Sequence, residues 1–125
     1  MNVLAITTDN KIFEKDISEH WIADIEQLID GTIEGVYPAG LPRPFVMYVD
    51  ECGHMAQKEV NLVVSVLYGT PVHNHPIVGD VVIAKERFSL ATGKYTLCSL
   101  TDREIENLIS LFTNILPKLE HIDAP

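Results

Sequence analysis

At 125 residues, with 46% hydrophobic and 22% charged positions, the chain has the proportions of one globular domain with its own core, which excludes wholesale disorder and a disulfide-dense scaffold. Eighteen acidic against nine basic residues give a net charge of −9, and the basic residues do not cluster, so direct nucleic-acid binding is disfavoured. The two cysteines, Cys52 and Cys98, read as reduced thiols; with no charged-then-apolar leader and no apolar run near the ~20 residues that cross a bilayer, a cytoplasmic protein without a membrane partner is expected.

In chain order, the apolar run 3–6, the Asp9-Asn10 turn and the run 11–15 predict a β-hairpin over residues 2–15. Asp16 with Glu19 has the spacing of a capping box, and Ile17, Trp21, Ile25, Leu28 and Ile29 mark one face of a helix over 17–29. Gly31 is the expected left-handed stop. Residues 32–37 predict a strand, and 38–44, with three prolines and Gly40, a loop. A strand over 45–49 leads into a turn at Asp50-Glu51-Cys52-Gly53. Residues 57–68 carry both a helical stripe (Val60, Val63, Val64, Leu67) and β-branched density; their length and spacing favour helix over strand.

Residues 70–76 are expected to form a loop holding His73 and His75. A buried strand follows over 77–84, with a bulge or turn at Gly79-Asp80. Residues 85–94 look polar and irregular, with a turn at Thr92-Gly93, and 95–98 suit a short edge strand. Thr101 and Glu104 form a second capping box, opening a helix whose stripe is Ile105, Leu108, Ile109, Phe112, Ile115 and Leu116. Pro117 is expected to end or kink that helix. The result is a single small α+β domain over 1–118, a mixed or antiparallel sheet packed against two to three helices, with a tail over 119–125.

The polar groups set among apolar ones are the candidates for chemistry. Cys52-x-His54 and His73-x-His75 bring four zinc-competent side chains, but in single-residue gaps rather than the wider spacings of structural zinc sites, so no metal is expected. Asp50 and Glu51, with Asp80 as a third acid, resemble paired carboxylates, yet adjacent acids at a turn are usually solvated turn formers. They would also raise the pKa of Cys52 and weaken it as a nucleophile. Phosphate-cradling glycine motifs are absent. Asn61 within an apolar run needs hydrogen-bond partners if buried, and pinning a neighbouring loop is the first reading. No catalytic residue and no cofactor is assigned, and a binding protein is expected ahead of an enzyme of unknown type, which is the last alternative.

Residues 14–34 hold seven acids and one base, a charge of −6, whereas 61–98 carry +1. Glu19, Asp24, Glu26 and Asp30 lie opposite the apolar stripe of the first predicted helix. They read either as a solvated face or as a docking surface for a basic partner. A second candidate is a pocket for a nucleotide-like small molecule near Tyr48, Asp50, Asn61, His73 and His75.

Several short motifs, in order, carry a resemblance. They are Val3-Leu4-Ala5-Ile6, Gly31-Thr32-Ile33-Glu34-Gly35-Val36-Tyr37-Pro38, Val49-Asp50-Glu51-Cys52-Gly53, Asn61, Ile77-Val78-Gly79-Asp80-Val81-Val82-Ile83, Phe88 and Cys98-Ser99-Leu100-Thr101-Asp102. Across nearly the whole chain this pattern resembles a family of small uncharacterised proteins, a domain of unknown function common in phages and conjugative elements of Gram-positive bacteria. The chain departs from that pattern with Asp30-Gly31 in place of Gly-Gly, Cys52-Gly53-His54 where Gly-Lys follows the acid pair, and no Pro or Arg around Asn61. The resemblance implies no activity and no catalytic residues. It implies a setting, an accessory gene of a mobile element, in which a small acidic protein would inhibit a host defence protein.

Overall fold

In the computed structural model, the backbone is described for residues 1–68 and 76–123, and the side chains for 1–67 and 76–115. Six strands form one sheet: β1 (Asn2–Ile6), β2 (Ile12–Asp16), β3 (Ile33–Val36), β4 (Phe45–Asp50), β5 (Val81–Ser89) and β6 (Lys94–Cys98). The order is β2-β1-β5-β4-β3, every pairing is antiparallel, and β6 also pairs with β5. The nine residues of β5 make it the spine. Residues 81–83 pair with β1, 85–89 pair with β6, and 82–85 pair with β4 on the opposite edge. Strands β1 and β6 therefore lie end to end along one edge of β5. The Leu100 N–H donates to the Asn2 carbonyl at 3.0 Å, and the Asn2 N–H to Ser99 Oγ at 2.8 Å, which closes the seam between them.

Alternation along the strands gives the sheet two apolar faces. Val3, Ala5, Val46, Tyr48, Val82 and Ala84 meet Ile25 and Ile29 of helix α1 (Trp21–Ile29). Leu4, Ile6, Met47, Val49, Val81 and Ile83 face helices α2 (Leu62–Tyr68) and α3 (Asp102–Asp123), where Phe112 is fully buried. Among the described residues the result is a six-stranded antiparallel sheet between one helix and two, the α+β architecture expected.

The hairpin forms as predicted, but its register pairs Asn2 with Asp16, so the ladder takes the residue expected to cap α1. No Asp16–Glu19 box forms, and α1 starts at Trp21 rather than at 17. Asp24 reaches back instead, accepting from the Ser18 N–H at 2.8 Å and the Ser18 hydroxyl at 2.7 Å. The left-handed stop also shifts by one: Asp30 takes φ 54°, with its N–H on the Glu26 carbonyl. Gly31 is required for a different reason. A Cβ there would lie 2.3 Å from Cγ of Asp50.

Between 57 and 68 only the last seven residues are helical. Val60 forms an antiparallel bridge with Val78, and the Asn61 N–H donates to the Ile77 carbonyl at 2.8 Å, so the front of that segment is held extended. The strand expected to stop near 84 runs to Ser89, because β6 supplies hydrogen-bond partners along residues 85–89 that polarity alone does not reveal. The second capping box is present: Thr101 Oγ1 accepts from the Glu104 N–H at 3.1 Å, and Glu104 Oε1 from the Thr101 N–H at 2.9 Å. Helix α3 continues through Pro117 to Asp123, so the boundary expected at 118 falls inside a helix. Proline removes one i→i−4 bond, and the bonds on either side carry the helix on. Among the described residues no helix is long and apolar enough to cross a membrane.

Candidate functional site

Of the residues expected to form a pocket, the three that are described, Tyr48, Asp50 and Asn61, do not converge. Tyr48 is buried on the α1 face, its ring 5.7 Å from that of Trp21. Burial, and then the negative charge of Glu86, push its phenol well above the ordinary range. Asn61 is on the α2 side with no exposed surface, its Nδ2 donating to the Ile6 and Gly79 carbonyls at 3.1 Å each. It pins β1 to the 77–79 segment, the structural reading of a buried amide; its Oδ1 finds no partner among the described residues. His73 and His75 lie outside the described residues.

Asp50 belongs to a third location, beneath the end of α1. Its carboxylate accepts from Lys58 Nζ at 2.7 Å and from the Cys52 N–H at 3.0 Å. The same ammonium donates to the carbonyls of Ile29 at 2.9 Å and Asp30 at 2.6 Å. Lys58 thus satisfies the C-terminal end of α1, where the helix dipole favours a cation, and neutralises Asp50 at once. Burial works to raise the Asp50 pKa, but Lys58 and the backbone N–H groups outweigh it and hold the carboxyl below its ordinary value. With all its polar groups engaged, this cluster is a fastening between α1, β4 and the 51–58 turn. Asp50 also lines a cleft, together with Glu34, Glu51, His54 and Pro76 among others, of about 180 Å³. That is below the roughly 300–1,000 Å³ of small-molecule sites. Cys52 is exposed, and among the described residues no three His, Cys, Asp or Glu side chains gather as metal ligands.

The four acids of the predicted docking face separate into two kinds. Asp24 is spent on Ser18, and Glu26 accepts from the Ile33 N–H at 3.4 Å. Glu19 and Asp30 are exposed, with no hydrogen bond to either carboxylate among the described residues. Asp30 contributes its left-handed backbone and its carbonyl to the Lys58 fastening, leaving the side chain to solvent.

A different surface was hidden in the segment that looked irregular. Beyond Trp21 the α1 face of the sheet continues onto the β5–β6 hairpin, where Glu86 stands opposite Leu97 and Phe88 opposite Tyr95. Phe88 and Tyr95 meet edge to face at 5.2 Å. Tyr37, just after β3, donates its hydroxyl to both Glu86 oxygens at 3.0 Å. The Arg43 guanidinium lies over two rings, 4.4 Å from the centroid of Tyr37 and 5.0 Å from that of Tyr95. Tyr37, Phe88 and Tyr95 are 46%, 47% and 54% exposed, which makes this a continuous aromatic surface open to solvent rather than an edge of the core. The sequence signal was the alternation Val82, Ala84, Glu86, Phe88, continued after the turn by Tyr95 and Leu97.

The fold and this surface define a small α+β sheet protein that presents aromatic side chains at one end of a helix-covered face. The chain belongs to the family described as Domain of unknown function (DUF3846), whose model it matches over residues 1–113. Comparison with curated proteins and with solved structures returned no match.

Proposed function

We propose that this is a non-enzymatic binding protein that engages a partner protein through the surface formed by Tyr37, Arg43, Glu86, Phe88 and Tyr95. The observation that carries the reading is the exposure of three aromatic rings around a stacked arginine on a rigid sheet. Tyrosine, phenylalanine and arginine are the residues that protein interfaces concentrate at their centres, and a sheet holds them in place at little entropic cost. Glu19, beside Trp21 at the start of α1, belongs to the acidic rim, where charge steers encounter more than it adds affinity. Asp30 extends that acidic rim at the other end of the helix. In the setting of a phage or conjugative element, the partner is a host protein and the effect is inhibition of a defence system.

Placing a photo-crosslinking residue at Phe88 tests this in the producing cell. One defined crosslinked species is expected from Phe88, and none from Thr113 on α3. The same pattern from both positions would overturn the reading.

A further inference from the structure

The gap between the Tyr37 and Tyr95 rings already holds a guanidinium, that of Arg43. Among the described residues it makes no hydrogen bond and no ion pair. Its backbone is anchored separately, since Leu41, two positions earlier, is buried in the core on the other side of the sheet. The side chain can therefore leave the rings by rotation of its own torsions, giving up two ring contacts and no hydrogen bond. At the hydroxyl of Tyr37, Glu86 accepts that group's hydrogen bond and forms no ion pair among the described residues, so a carboxylate borders the cation-binding aromatic surface.

Resting on the binding-protein reading above, we propose that the Tyr37–Tyr95 gap is a receptor site for an arginine side chain of a basic partner segment, and that Arg43 holds the place in the free protein. Three features converge on that occupant. The gap fits a guanidinium because it contains one. Glu86 sets a carboxylate at the Tyr37 hydroxyl, beside the rings, and the net charge of −9 with the acidic α1 nearby favours a basic segment over an acidic one. Phe88, packed on Tyr95, extends the apolar floor for residues flanking the incoming arginine.

The test empties the site. Arg43→Ala, with Arg43→Gln as a second variant should the first not fold, is titrated with N-acetyl-arginine amide while the ring resonances of Tyr37, Phe88 and Tyr95 are followed by NMR. Saturable shifts are expected in the variant and binding about tenfold weaker in the wild type, the order of advantage lost to two cation–π contacts. The uncharged citrulline analogue should not compete, and Tyr95→Ser in the Arg43→Ala background should abolish the shifts. A folded variant that binds no arginine, or binds citrulline equally well, overturns the site. Shifts in the ligand-free wild type that grow with protein concentration would assign the gap to a second copy, and overturn it too. Because the crosslink from Phe88 is read separately, a crosslink without arginine binding removes this site and leaves the binding reading standing. Arginine binding without a crosslink removes the reading itself.

Discussion

Lys58 and Asp50 show how one side chain serves two ends. The ammonium meets the last carbonyls of α1 and a carboxylate that is 4% exposed, so neither partner can be lost without stranding the other. Asp50 ionises more readily in the fold than its ordinary 3.8. Its contribution to stability is therefore complete above that pH and is lost as pH falls through the lower, folded value. Lys58→Met should cost about 3 kcal/mol near neutrality, where it leaves a buried charge unpaired. The deficit should shrink in acid as Asp50 takes up a proton. Urea melts at pH 7 and below pH 4 measure this, and a deficit independent of pH would mean that Lys58 stabilises by packing alone. Gly31 completes the arrangement, because the carboxylate occupies the space its Cβ would need.

At the scale of elements, the two predicted capping boxes had opposite outcomes. Thr101 and Glu104 exchange both hydrogen bonds, and Lys85 of β5 reaches Glu104 Oε1 at 2.7 Å, so the start of α3 is tied to the sheet. Burial opposes ionisation of Glu104, but Lys85 and the Thr101 donors hold its pKa below the ordinary value. Thr101→Ala should cost about 1 kcal/mol, read as a fall in denaturant midpoint at unchanged slope. The Asp16–Glu19 pair has the same local chemistry and loses it to the hairpin, whose ladder claims Asp16. Local spacing is equal in the two cases, and the competing tertiary partner decides between them.

For the whole molecule, the sheet is held between two apolar layers, and the α2–α3 layer is sealed by Phe112 with no exposed surface. Phe112→Ala should remove about 3–5 kcal/mol, the cost of emptying an aromatic site in a packed core. A loss below about 1 kcal/mol in an equilibrium melt would mean that this face is not close-packed. The acidic charge gathers at α1, while the aromatic surface lies past its N-terminal end, so charge and apolar contact belong to one side of the molecule.

What the sequence determined by itself was the periodic information: the hairpin, the apolar stripe of α1, that of α3 at Ile105, Leu108 and Phe112 though not at the exposed Ile109, the Thr101 cap, the α+β class and the acid excess. Each depends on residues close in the chain, so spacing alone reveals it. The tertiary structure decided the rest. It moved the start of α1 to Trp21, gave Asp30 the left-handed turn and shortened α2. It also extended β5 to Ser89, because hydrogen-bond partners far away in the chain outcompeted local preference. It likewise scattered Tyr48, Asp50 and Asn61 over three locations, and assembled Tyr37, Arg43, Glu86, Phe88 and Tyr95 from the end of β3, a loop and one hairpin. Those five side chains meet only when β5 lies between β4 and β6, a register that no local spacing encodes.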